Sequence, residues 1–106
     1  MAKTEDGKYY ILKVRGKDGV QLIASRIERD VEKQGCAILR ASGNWAVNQA
    51  LKGFARYFEN RREKEEDFVD NKVSVRFVNT EGNQGQSISV LELRYDDSEN
   101  IREDGK

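Results

Sequence analysis

The sequence predicts a two-layer α+β sandwich with the element order β-α-β-α-β-β: a mixed four-stranded sheet with two helices on one face. Three observations predict it. Apolar residues recur at helical spacing in two stretches, Val20, Ile23, Ala24, Ile27 and Val31, then Val47, Ala50, Leu51, Phe54 and Phe58. A short strand-like run precedes each stretch. Two further alternating runs, 72–79 and 86–95, flank a turn-rich segment and read as a hairpin. Two amphipathic helices need one sheet face to cover, which leaves the other face more open.

Taken in order, 1–8 is polar and reads as a flexible tail. Residues 9–15 alternate, with Tyr10, Leu12 and Val14 on one face and Tyr9, Ile11, Lys13 and Arg15 on the other. Gly16-Lys17-Asp18-Gly19 breaks this first strand, and Asp18 stands where a helix N-cap belongs. The first helix then runs to about Gln34, with Gly35 at the position of a C-cap glycine. A second strand, 36–41, passes through Ser42-Gly43-Asn44 into the second helix. Ser42 or Asn44 is placed to accept hydrogen bonds from that helix's first amides. Strand, helix and strand fit the length of a βαβ unit, so the first two strands should be parallel with a right-handed crossover. Segment 59–70 is almost all charge and is either the frayed end of the second helix or a solvated loop. In the last strand Ile88 and Val90 are on one phase, and Leu91, Leu93 and Tyr95 on the other. A β-bulge near Val90 would reconcile them. The domain should cover 9–95, with 96–106 a second flexible, acidic tail.

Three stretches carry a family resemblance: Leu12-Lys13-Val14, the Ala37-x-x-x-Ala41-x-Gly43 turn, and Ala46-Val47-Asn48-Gln49-Ala50-Leu51-Lys52. They resemble the stage V sporulation protein S family, which looks like a bacterial relative of the Alba nucleic-acid-binding proteins. The likeness runs from about Tyr10 to Phe58 and is most specific from Gly43 to Lys52. It implies an Alba-like fold, a dimer, and binding of DNA or RNA without turnover, with a regulatory or architectural role linked to sporulation or cell division.

Composition narrows the classes. The 106 residues carry no net charge, but 1–57 hold 11 basic against 6 acidic residues and 58–106 hold 8 against 13. A basic first half favours an anionic partner for that half. No apolar run is long enough to span a membrane, no signal peptide is evident, and the lone Cys36 makes no internal disulfide; a cytoplasmic protein fits. Histidine is absent, which removes the commonest general base and metal ligand together. No catalytic constellation, metal-ligand spacing or phosphate-cradling glycine motif is present. The reading is therefore of no catalytic residue, no metal and no cofactor.

Parallel strands end side by side, so the Arg15-Gly16-Lys17 loop and the Ser42-Gly43-Asn44 turn should share one edge. Two cations beside a helix N-terminus make a site for a phosphate backbone. The bland alternative is that Arg15 and Lys17 are ordinary surface charges; the matching loops of Alba-like proteins carry nucleic-acid contacts, which favours the site. Arg40, Asn48 and Lys52 are expected to extend it, Asn48 alternatively bonding a loop or a second subunit. Trp45 and Gln49 are the expected dimer-interface residues. Trp45 is off the core stripe and reads as packed against a partner subunit. Alba-like hairpins approach the minor groove, but this tip holds no Lys or Arg, so it reads as a simple surface hairpin. Cys36 reads as a small buried hydrophobe. The competing reading of the whole is a protein-interaction module with no nucleic-acid ligand, which the zero net charge favours.

Overall fold

The computed structural model describes residues 2–68, 72–81 and 83–97. Its elements are β1 (Ala2–Lys3), β2 (Tyr10–Val14), α1 (Val20–Gln34), β3 (Cys36–Ala41), α2 (Asn44–Lys64), β4 (Ser74–Glu81) and β5 (Ser87–Asp96), with a 3-10 turn at Asn83–Gly85. The four expected strands and two helices are present in the expected order. Within the sheet the order is β1-β2-β3-β5-β4. β2 and β3 run parallel, and β3–β5 and β4–β5 are antiparallel, so the sheet is mixed.

Alternation sorts the sheet residues cleanly. Leu12, Val14, Ala37, Leu39, Ala41, Leu93 and Tyr95 face both helices and join Ile23, Ala24, Ile27 and Phe54 in one core. Ile11, Cys36 and Ile38 form a smaller cluster on the opposite face, under Tyr9. Cys36 is buried, and burial pushes its thiol pKa up, as suits a packing residue.

Several expectations need correction. The first tail is not loose throughout. Ala2–Lys3 pairs antiparallel with Tyr10–Ile11, and Thr4 and Asp6 fold the turn between them. Its polar residues are turn residues, which in composition look like a solvated tail. At the other end Asp96 belongs to β5 and Asp97 bonds Arg61; 98–106 lie outside the described residues. No bulge interrupts β5. Its register with β4 is continuous from Ser74↔Arg94 to Glu81↔Ser87. Ile88 and Val90 fall on the open face because the strand outruns the helices, and no core dictates its phase there. Segment 59–70 resolves in favour of helix as far as Lys64. The Arg61 guanidinium fixes that end. It donates to Tyr57, Tyr95, Asp97 and Glu65 and lies over the Phe68 ring. Residues 69–71 lie outside the described residues.

The buried face of α2 is also rotated from the expected stripe. Ala46, Ala50, Gly53, Phe54 and Tyr57 are buried, whereas Leu51 is exposed. α2 packs on α1 as well as on the sheet, and its small residues face that crossing, with Gly53 against Ile23. Where β2 separates from β3, the Gln34 carboxamide fills the gap. It accepts from Tyr10 N–H at 2.9 Å and donates to the carbonyls of Tyr10 and Cys36 at 3.1 and 3.2 Å.

Candidate nucleic-acid interface

The parallel register ends at Val14↔Ala41, so β2 and β3 stop at one level and their following loops lie side by side. Contact between them is close. A Cβ on Gly16 would be 2.6 Å from Trp45 Cβ and 3.6 Å from Ala46 N, so the loop rests on the first turn of α2. Gly43 is the N-cap of α2 at φ 86, a conformation that costs any residue with a Cβ. Neither Ser42 nor Asn44 caps the helix, contrary to expectation. No side chain does, and Val47 N–H to Gly43 O is the first backbone bond. With Gly43 at positive φ, neither flanking side chain bonds a first-turn amide. Those amides point outward as donors beside the cationic loop.

Asp18 is not the N-cap of α1 either; Gly19 is, with no side-chain bond. The nearly buried Asp18 carboxylate turns back and accepts Arg15 N–H at 2.7 Å, holding the loop in shape. Its carbonyl accepts from Gln49 Nε2 at 2.8 Å, which ties the loop to α2. Gln49, expected at a dimer interface, thus has its amide engaged within the chain. Arg15 remains mostly exposed, 4.0 Å from Asp18. Lys17 is exposed and makes no ion pair or hydrogen bond among the described residues.

The eight expected binding residues fall into three groups. Arg15, Lys17, Ser42, Gly43 and Asn44 share the loop edge. Asn48 and Lys52 are exposed on the outer side of α2. Arg40 is on the open sheet face, with the sheet between it and the helices. There Arg40 Nε and Arg76 Nε donate to the two oxygens of Glu92 at 2.9 and 2.7 Å. Burial alone would raise the Glu92 carboxyl, but hydrogen bonds from Arg76 and Arg40 and their charges outweigh it and hold the pKa below its ordinary value. Arg76, Lys13 and Gly16 were not read as site residues from sequence. Only cross-strand register brings Lys13 beside Arg40 and sets Arg76 across Glu92 from it, and only the loop packing makes Gly16 important.

Trp45 is 79% exposed at this edge. The β4–β5 hairpin continues past the level of Ala41↔Leu91 for four more residue pairs, about 13 Å of projecting arm. That arm has no Lys or Arg, and Glu81 is its one charged residue. At the far ends of the helices a groove of about 390 Å³ is lined by Glu28, Glu32, Lys64 and Glu65, among others. Its charges are largely paired, Lys64 with Glu28 and Arg61 with Glu65. Among the described residues no His, Cys, Asp and Glu group is arranged to hold a metal, and no helix is long and apolar enough to cross a membrane. No family model and no curated protein matches the chain.

Proposed function

We propose that this is a cytoplasmic, non-catalytic nucleic-acid-binding protein of regulatory or architectural type, similar to the stage V sporulation protein S and Alba proteins and acting as a homodimer. One observation carries the reading. The Gly16–Trp45 approach sets Arg15 and Lys17, the latter without a partner among the described residues, beside the start of α2, which no side chain caps. Cations and outward amides on one edge suit a phosphodiester backbone. Large apolar residues are exposed on the helix side, Trp45 on α2 and Phe77 on β4, each at 79%, and they support self-association.

The test is a salt series of binding titrations on DNA and RNA. Arg15→Ala with Lys17→Ala should weaken binding to every sequence and lower the slope of log affinity against log salt by up to about 1.8 on duplex DNA. Lys64→Ala with Lys72→Ala removes the same charge away from this edge. An equal loss in that control would mean bulk charge and no site. The exposed Phe77 and Trp45 also favour a second reading, a protein-docking module. Partners that stay bound after nuclease treatment, with no polynucleotide binding at low salt, would establish it instead.

A further inference from the structure

The register of the open face places Lys13, Arg40, Glu92 and Arg76 in one row across β2, β3, β5 and β4. Strands are about 4.8 Å apart, so the row is about 14 Å long. One strand of a duplex carries about four phosphates over that length. The row has three cations and one carboxylate, and that carboxylate is only 4% exposed. Glu92 holds each arginine by Nε alone; the terminal guanidinium nitrogens of Arg40 and Arg76 make no hydrogen bond among the described residues. Lys13 is exposed and without a partner among those residues. Two neighbouring groups limit the strip. Glu5 adds a negative charge near Arg76, and Arg94 is taken up by Asp96 and the Tyr9 ring. At the other end, strand alternation continues the row's columns into Arg15 and Ser42, the residues of the loop edge.

We propose that this row is a second phosphate-contact strip, and that the nucleic-acid backbone passes from the Arg15–Lys17 edge across the open sheet face instead of along α2. The inference rests on the nucleic-acid reading above. Charge complementarity selects the path. The open face offers Lys13 and two guanidinium groups whose terminal nitrogens are unbonded among the described residues, whereas the outer side of α2 offers Lys52 and then an Arg56–Glu59 pair. A guanidinium already fixed at Nε loses little freedom when its remaining donors meet a phosphate.

The test compares wild type, Lys13→Gln with Arg76→Gln, and Arg15→Ala with Lys17→Ala. Each is titrated by anisotropy with a labelled oligonucleotide, single-stranded and duplex, over a salt series. The Lys13/Arg76 variant should lose up to about 1.8 from the duplex slope and about 1.4 from the single-strand slope. Its loss should add to that of the loop pair. Glu92→Gln should tighten binding several-fold, and Glu59→Gln on α2 should not. A wild-type slope in the Lys13/Arg76 variant, with a reduced slope in the loop pair, overturns the strip and leaves the loop edge standing. Wild type indifferent to polynucleotide at low salt overturns both. Should Arg76→Gln unfold the domain, Lys13→Gln alone decides, because the Lys13 side chain is exposed and bonds none of the described residues.

Discussion

Replacing Gly16 by alanine tests how the two loops are held together. The added methyl carbon would be 2.6 Å from Trp45 Cβ, 3.5 Å from Trp45 C and 3.6 Å from Ala46 N. Carbon atoms prefer about 3.5–4.0 Å, so the loop must retreat by about 1 Å. The obstacle is the root of a helix residue, which cannot swing aside. Gly16 has an ordinary backbone conformation, so the cost comes from overlap alone. Overpacking of this kind costs about 1–3 kcal/mol. For a domain of this size each kcal/mol lowers Tm by about 4–8 °C, so a fall of about 10 °C is expected in a thermal melt. Nucleic-acid affinity should fall at temperatures where the variant is still folded, because Arg15 and Lys17 move away from α2. Trp45→Ala should not rescue the variant, since alanine keeps the offending Cβ; Trp45→Gly should recover much of the loss in a double-mutant cycle. Gly19→Ala, with nothing within 4 Å, should cost less than about 1 kcal/mol. A Gly16→Ala protein that melts with wild type would refute the close approach and the site geometry built on it.

Two further outcomes are expected. Glu92 has a folded-state pKa below its ordinary 4.5, so its contribution is complete above that value and is lost as pH falls through the depressed one. The difference in Tm between wild type and Glu92→Gln should therefore shrink on acidification, and a constant difference would contradict the Arg40–Glu92–Arg76 bridge. Arg61→Leu should destabilise the domain by about 3 kcal/mol in denaturant melts, because it strips the Asp97 carboxylate and two tyrosine hydroxyls of a shared donor. A loss below about 1 kcal/mol would show that the network contributes little.

The periodicities of α1 and α2 were legible because a helix covering a sheet must repeat near 3.6 residues. The parallel pairing of β2 with β3 followed from chain length between them, and with it the shared edge of Arg15 and Gly43. Capping was not legible: Asp18 and Ser42 are good caps by type, yet one closes a turn and the other bonds nothing among the described residues. Leu51 misled because the stripe rule assumes one packing surface, and α2 has two. Arg40 was singled out without its face, since a strand residue's neighbours depend on which strand lies alongside. That β5 lies between β3 and β4, bringing Glu92 between two arginines, is a tertiary fact with no local signature.

The Gln34 carboxamide joins two parts of the chain that would otherwise open separately. Tyr10 N–H has a side-chain acceptor, at the last residue of α1, in place of a strand carbonyl. Fraying of the final helical turn therefore exposes this amide to solvent even while the β2–β3 pairing above it persists. In amide hydrogen exchange, protection at Tyr10 should follow the last turn of α1 more closely than it follows Leu12 or Val14. The lower end of β2 is in this sense a reporter of helix integrity, and the helix terminus and strand start form one unit of local unfolding.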